Sequence, residues 1–310
     1  MIITVTLNPA VDKVMVIKDF KTGSVNRASE IMVEAGGKGI NVSKTISSLG
    51  GISKAFGILA GQGGSFVEKS LNLLKIDNDF LYVDGETRTN VKISDPINHI
   101  VTDINEPGPV VSKEAIEKLS QKLSEGMHKD DVLVLTGSTP QGVDKDIYKL
   151  WIEAAKAVGI RCVLDADGEL LKNGIEAGPY LIKPNIHELE SLYETQTSSM
   201  DEIIELAKRL LEKGTEMAAV SCGEKGAVFV TNSWVAVAEG IKTTVKSTVG
   251  AGDAMVAALS YGIHEKLEPE DMIKLAAACG TATVTIYGNQ PSKEDINSYK
   301  EQVNVIFLYR

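Results

Sequence analysis

The chain has 310 residues, 43% of them hydrophobic and 24% charged, with a net charge of −10 and an isoelectric point near 5.1. This is ordinary soluble globular composition, long enough for one large α/β domain or two smaller ones. The acidic balance argues against a general binder of nucleic acid or anionic membrane, yet it allows a local basic pocket for an anionic metabolite.

Ile2 to Leu7 is a short apolar run ended by Asn8-Pro9, which reads as a buried first strand. It lacks the basic start and long apolar stretch of a signal peptide, and no segment approaches the ~20 apolar residues of a membrane span, so a soluble, cytoplasmic protein is expected. Val14–Ile17 and Ile31–Val33 read as strands with no helix between them, an excursion from the main sheet. Helical spacing runs from Lys38 to Leu49 behind Ala35-Gly36-Gly37-Lys38-Gly39. A strand (Ala55–Leu59) and a helix (Phe66–Leu74) follow. Thr87–Ile93 and His99–Ile104 read as a hairpin around Asp95-Pro96-Ile97-Asn98. Alternation puts Arg88, Asn90 and Lys92 on one face of its first strand, a face that either covers a ligand or is simply solvated.

Beyond Pro107-Gly108-Pro109 the pattern becomes regular. Helices near 113–125, 145–157 and 201–212 alternate with strands at 132–135, 162–165, 180–182 and 217–220. Such alternation predicts a parallel sheet covered on both faces. Ala227–Val230 and Trp234–Val237 form a second expected hairpin, and helices follow from Asp253, from about 271 to 285 and from about 294 to 302. The organisation is one α/β core (1–10, 35–86 and 106–310) with a discontinuous β excursion (11–34 and 87–105). Cys162, Cys222 and Cys279 are scattered and the four histidines lack ligand spacing, so neither a zinc site nor a disulfide framework is suggested.

Ligands of open α/β sheets bind beyond the carboxyl ends of the strands. Asn8 and Asp12, Gly137-Ser138, Lys183-Pro184-Asn185 and Ser221 to Gly226 all follow predicted strands. Thr248-Val249-Gly250-Ala251-Gly252-Asp253 places glycines where a loop becomes a helix N-terminus, an anion-attracting position. An acid there suits a base beside a phosphoryl group, and equally suits an N-cap. Gly36-Gly37-Lys38-Gly39 offers backbone N–H groups and a cation, or a flexible helix cap. No GxxxxGK[ST] and no GxGxxG after the first strand is present, so any nucleotide is held by another route. Asn185 and Glu188, three apart at a predicted helix start, suit Mg²⁺ through water or a capped first turn.

Together, Gly36-Gly37-Lys38-Gly39-Ile40-Asn41-Val42, Lys183-Pro184-Asn185 with Glu188, and Thr248 to Asp253 resemble the ribokinase-like, PfkB-type sugar kinases, in order and spacing over essentially the whole chain. Thr4 to Asp12 and Thr87 to Lys92 resemble the branch acting on ketohexose phosphates, and Asn105 to Pro109 is more similar to members acting on fructose 1-phosphate than to those acting on tagatose 6-phosphate. The resemblance implies a three-layer α/β/α sandwich with a mostly parallel sheet and a small β-sheet lid, through which similar proteins dimerise. It implies ATP and Mg²⁺, with Asp253 as base and Gly250, Ala251 and Gly252 as N–H donors to the transferring phosphoryl. Ser221, Cys222, Gly223, Glu224, Lys225 and Gly226 would hold the nucleotide phosphates, and Asn185 and Glu188 the metal. Asp12 and Asn41 would bind sugar hydroxyls beside Gly37, with Lys38, Arg27 and Arg88 around the sugar's own phosphate. A sugar-phosphate sensor is the non-enzyme alternative, which the intact Asp253 with both glycines argues against.

Overall fold

The computed structural model describes residues 1–286, 288 and 290–309. The chain opens with β1 (Ile2–Thr6), leaves through β2 (Ala10–Val16) and β3 (Glu30–Gly36), and returns in α1 (Lys38–Ser48). It continues through β4 (Ser53–Ala60), α2 (Gly61–Leu73) and β5 (Asp77–Val83), then leaves again in β6 (Arg88–Asp95) and β7 (Ile100–Asn105). α3 (Lys113–Gly126), β8 (Val132–Thr136), α4 (Ile147–Ala157), β9 (Arg161–Asp165), α5 (Gly168–Glu176), β10 (Leu181–Ile182), α6 (Ile186–Leu192) and α7 (Met200–Leu211) follow. β11 (Met217–Ser221), β12 (Gly226–Thr231) and β13 (Val235–Glu239) precede the helices α8 (Ala251–Glu265), α9 (Pro269–Val284) and α10 (Lys293–Lys300), and β14 (Val305–Tyr309) ends the described chain.

The ten-stranded main sheet has the order β14-β13-β12-β11-β10-β9-β8-β1-β4-β5. The strands from β5 to β11 are parallel, and β12, β13 and β14 continue antiparallel. Period-2 alternation divides the core between two layers. Ile3, Val5, Leu133, Leu135 and Leu164 pack with Leu119, Ile152, Leu171 and Ile203 of α3, α4, α5 and α7. Ile2, Val132, Val134 and Val163 pack the other way with Val42, Leu259 and Ala276 of α1, α8 and α9. Among the described residues no helix is long and apolar enough to cross a membrane.

A second sheet has the order β3-β2-β6-β7. Asp12 faces Glu34 across the antiparallel pair β2–β3 and Asn90 across the parallel pair β2–β6, and Asn90 faces Asn105 of β7. A polar row therefore crosses one face, with Arg88 and Lys92 on the same side of β6. The opposite face is mainly apolar, with Lys13 between Val33 and Val91. Val11 and Ala35 pack on the core at its base, while Ile31, Val33 and Ile104 are 55%, 47% and 55% exposed. At its tip, Asp95 accepts from the Asn98 side chain and from the N–H groups of Phe20, Asp19 and Ile97, which hold its carboxyl well below the usual range.

Three elements were not expected. β5 opens on Asp77-Asn78-Asp79 because it is an edge strand, where polar residues meet water. α5 runs through Gly174, where a Cβ would meet the Leu164 side chain, so a helix-weakening residue sits where close packing against β9 needs it. β14 is apolar at every position and shows no alternation, although it forms the opposite sheet edge. In addition, α8 starts at Ala251, two residues before the expected Asp253. Gly250, at φ 82°, is its N-cap, so Asp253 lies in the first turn and is not the cap.

Candidate active site

From β1 the chain first adds strands on one side and then, from β8 onward, on the other. The strand order thus reverses beside β1, and a crevice forms there at the carboxyl ends. Thr136 and Asp165 end β8 and β9, and Lys183 follows β10. The N-termini of α1 and α8 reach the same place, where the Asn41 amide donates to Asp253 Oδ2 at 2.8 Å.

The charges here are buried and interlocked. Asp165 Oδ2 accepts from the Thr136 hydroxyl at 3.0 Å. Its two oxygens lie 3.3 Å from the ammonium groups of Lys38 and Lys183 respectively. Burial alone would raise the Asp165 carboxyl, but Lys183, Lys38 and Thr136 bring it down to about 2. The Asp165 anion in turn raises Lys38 above its ordinary value despite burial. Asp253 goes the opposite way: burial, then repulsion from Asp165, push it up to about 6, against the pull of Lys38, Asn41 and Lys183. Two carboxylates in one crevice are thereby separated in acidity, Asp165 as a fixed counter-ion and Asp253 as a group that can exchange a proton near neutrality.

Among the described residues no side chain caps the first turn of α8, which leaves its leading N–H groups available. Gly252 faces Lys183, whose Nζ would lie 3.3 Å from a Cβ at that position. Gly250, Ala251 and Gly252 with Lys183 and Lys38 thus make an anion-attracting floor directly beside Asp253.

The other candidates fall into three groups. Asp12 is buried, and its Oδ1 accepts from the Asn90 amide at 3.0 Å. Gly36 lies so close that a Cβ there would overlap the Asp12 carboxylate. Gly37, at φ 113°, caps α1 next to Thr6 and Pro9. Arg88 is half-buried, with Nε donating to the Asn8 carbonyl at 3.2 Å and Nη1 to the Glu106 carbonyl at 3.5 Å. Arg27 is exposed in the β2–β3 connection and makes no hydrogen bond or ion pair with the other candidates. Gly36→Ala is expected to displace Asp12 and raise the KM for the acceptor by about tenfold, the equivalent of ~1.4 kcal/mol, with the nucleotide KM unchanged. Steady-state kinetics with each substrate varied in turn checks it.

Ser221 to Gly226 is the turn joining β11 to β12. Ser221 N–H donates to the Pro184 carbonyl at 3.0 Å, which ties this turn to the segment after Lys183. Cys222 is buried, its thiol pushed up to about 11 by burial. Gly223, Glu224 and Lys225 form a 3₁₀ turn, with Gly223 at φ 59° facing open space. Gly226, at φ 97°, lies where any Cβ would strike the Ala238 carbonyl, so it serves the hairpin itself. Asn185 and Glu188 form a reciprocal capping box at α6, at 2.8 and 2.9 Å. Glu188 nevertheless remains close enough to help hold the charge on Lys38. Among the described residues no cluster of three or more His, Cys, Asp or Glu side chains could enclose a metal.

Sequence reasoning placed Lys183-Pro184-Asn185 at a ligand-binding strand end without giving Lys183 a role, and did not single out Asp165 or Thr136 as site residues. The available signal was an acid closing an otherwise apolar, fully buried strand, Cys162-Val163-Leu164-Asp165. A carboxylate in that position needs cations, and Lys183 follows the neighbouring strand.

The profile described as pfkB family carbohydrate kinase matches residues 5–296. The 1-phosphofructokinase of Borreliella burgdorferi is 36% identical over 312 residues, covering 100% of this chain and 99% of that protein. That of Bacillus subtilis is 37% identical over 283 residues, covering 91% and 92%. Phosphofructokinase-2 from Escherichia coli, solved in complex with substrates and products, superposes with a TM-score of 0.93 at 27% identity, covering 97% of this chain and 98% of that one. Every residue of the charged cluster lies inside the matched range, and the chain belongs to the pfkB family of carbohydrate kinases, phosphotransferases with an alcohol acceptor.

Proposed function

We propose that the protein phosphorylates fructose 1-phosphate with ATP, giving fructose 1,6-bisphosphate and ADP. The observation that carries this reading is the Asp253 carboxylate, buried, raised towards neutrality and set against an uncapped helix N-terminus with two lysines. The C6 hydroxyl attacks the γ-phosphorus while its proton passes to Asp253, and the bond from that phosphorus to the β-bridging oxygen breaks. The N–H groups of Gly250, Ala251 and Gly252, with Lys38 and Lys183, stabilise charge on the moving phosphoryl group. Ser221 to Gly226 flanks the nucleotide phosphates. Asp12 and Asn41 take sugar hydroxyls beside Gly37, and Arg88 with Arg27 faces the sugar's own phosphate, where a guanidinium fork suits bidentate contact, whereas Lys38, held against Asp165, serves the phosphoryl end.

Mg²⁺ fits the donor set, because this ion is commonly held by one or two carboxylates, waters and substrate phosphates rather than by a protein cage. Asn185 and Glu188 would hold it through water, and it would neutralise charge on the nucleotide phosphates.

The excursion 11–34 and 87–105, which carries most of the four-stranded sheet (β2 begins one residue earlier at Ala10 and β3 runs to Gly36), is read as a lid that excludes water, a competing acceptor. Its exposed apolar face, with Ile31, Val33 and Ile104, supports a homodimer formed through the lid. Three free, buried cysteines suit a reducing, cytoplasmic setting.

The test is ADP release with ATP and Mg²⁺, comparing kcat/KM for fructose 1-phosphate, tagatose 6-phosphate and fructose 6-phosphate. At least tenfold preference for fructose 1-phosphate is expected. Preference for tagatose 6-phosphate would keep the base and change the sugar, and no turnover with any of the three would overturn the substrate class.

A further inference from the structure

We infer that Asn90 is a positioning residue of the sugar site, holding the Asp12 carboxylate in the orientation that accepts the sugar hydroxyls. This rests on the kinase reading above and adds a residue to it. Asn90 and Asp12 are cross-strand partners in the parallel pair β2–β6, and the Asn90 Nδ2 reaches Asp12 Oδ1 at 3.0 Å. Among the described residues this is the one side-chain hydrogen bond that the Asp12 carboxylate receives.

The orientation of the Asn90 amide follows from chemistry. A carboxylate oxygen accepts and does not donate, so the amide must turn its N–H₂ end towards Asp12. Its Oδ1 then points elsewhere, and among the described residues that atom is buried without a hydrogen-bond partner. Leaving a buried acceptor unpaired costs free energy. An apolar residue such as the neighbouring Val91 or Ile93 would fill the strand without that cost. The asparagine is explained by what its N–H₂ end does for Asp12.

The other neighbours show what Asp12 does without it. Glu34 faces Asp12 from β3 and repels it, although Glu34 turns towards Lys44 at 3.8 Å and the backbone at Gly288. Lys44 of α1, which also donates to the Ala35 carbonyl, and Arg88 of β6 are the cations that face Asp12. Gly36 closes the remaining side, leaving no room for a Cβ. Without the Asn90 hydrogen bond the carboxylate is free to turn towards Lys44 or Arg88, away from an incoming hydroxyl.

The experiment is a double-mutant cycle read in kinetics and binding. Asn90→Leu is expected to raise the KM for fructose 1-phosphate about tenfold, with kcat changed less than threefold and the KM for ATP unchanged. Asn90→Ser, which keeps a donor, should show a smaller rise of three- to fivefold. In an Asp12→Ala background, followed by calorimetric titration with fructose 1-phosphate, Asn90→Leu should change affinity less than twofold. A full tenfold effect in that background would overturn the inference, since Asn90 would then not act through Asp12. An unchanged KM in folded Asn90→Leu would also overturn it, and Asn90→Ala, which likewise lacks a donor, takes its place if Asn90→Leu does not fold. A wild-type enzyme inactive on all three sugar phosphates sinks the substrate reading and this inference together. An active wild type with unaffected variants sinks only the role of Asn90.

Discussion

Asp253→Asn is expected to lower kcat by about 10³-fold, within the range for loss of a positioned general base, while ATP and sugar-phosphate binding change little. The substitution preserves shape and removes the ability to take the hydroxyl proton. The same change is expected to make the protein more heat-resistant. Asp253 is buried and its carboxyl is raised to about 6 from 3.8, so ionising it opposes folding. The sign follows from linkage: a raised carboxyl favours the fold fully below the unfolded value and loses that advantage as pH rises through about 6. At pH 8 the ionised group therefore costs roughly 3 kcal/mol, which the asparagine variant is spared. Its Tm should exceed that of the wild type at pH 8, and the gap should narrow below pH 6 and close only as pH falls past about 4. In the wild type, kcat/KM should fall about tenfold per unit as pH drops below 6, because only the ionised carboxylate accepts the proton. Turnover retained in Asp253→Asn would remove the base. A variant no more stable at pH 8 would contradict the electrostatic account of the crevice.

Much of this site was legible because it rests on local rules. Glycines before an apolar helix announce an anion site, and Gly250 to Gly252 lie at one. Alternation in β6 put Arg88, Asn90 and Lys92 on one face, and the register with β2 sets that face beside Asp12. What escaped depends on partners far apart in sequence. Asp165 looks like a strand end until β10 brings Lys183 to one oxygen and α1 brings Lys38 to the other. Asn185 and Glu188 show the reverse limit. Their spacing fits a capping box as well as a water-mediated metal site, and the fold forms the box with one oxygen of Glu188, so spacing alone does not separate the two roles. β5 escaped for a related reason: its polar start fits an edge strand, which lacks the two-sided burial that makes a central strand conspicuous.

Replacing Asp165 tests whether the cluster works as a unit. Asp165→Asn leaves Lys38 and Lys183 without their shared anion, and Lys183 is 5% exposed. Breaking a buried pair by removing one partner typically costs about 3–5 kcal/mol, so a fall in Tm on the order of 5–10 °C is expected for a chain of this size. The wild-type carboxyl is depressed to about 2 from 3.8. Its contribution is therefore present above about pH 4 and lost as pH falls through 2, and the difference between variant and wild type should be full at pH 7 and shrink in strong acid. The same substitution acts on Asp253, because the Asp165 anion is one of the two causes that raise it. With that anion gone, the acid limb of kcat/KM should move to lower pH, even as kcat falls because the two ammonium groups lose their anchor. A merely structural Asp165 would lower Tm and leave the acid limb in place. A limb that shifts downward, in a variant still folded at the assay temperature, identifies Asp165 as a group that, beside burial, raises the carboxyl of the base.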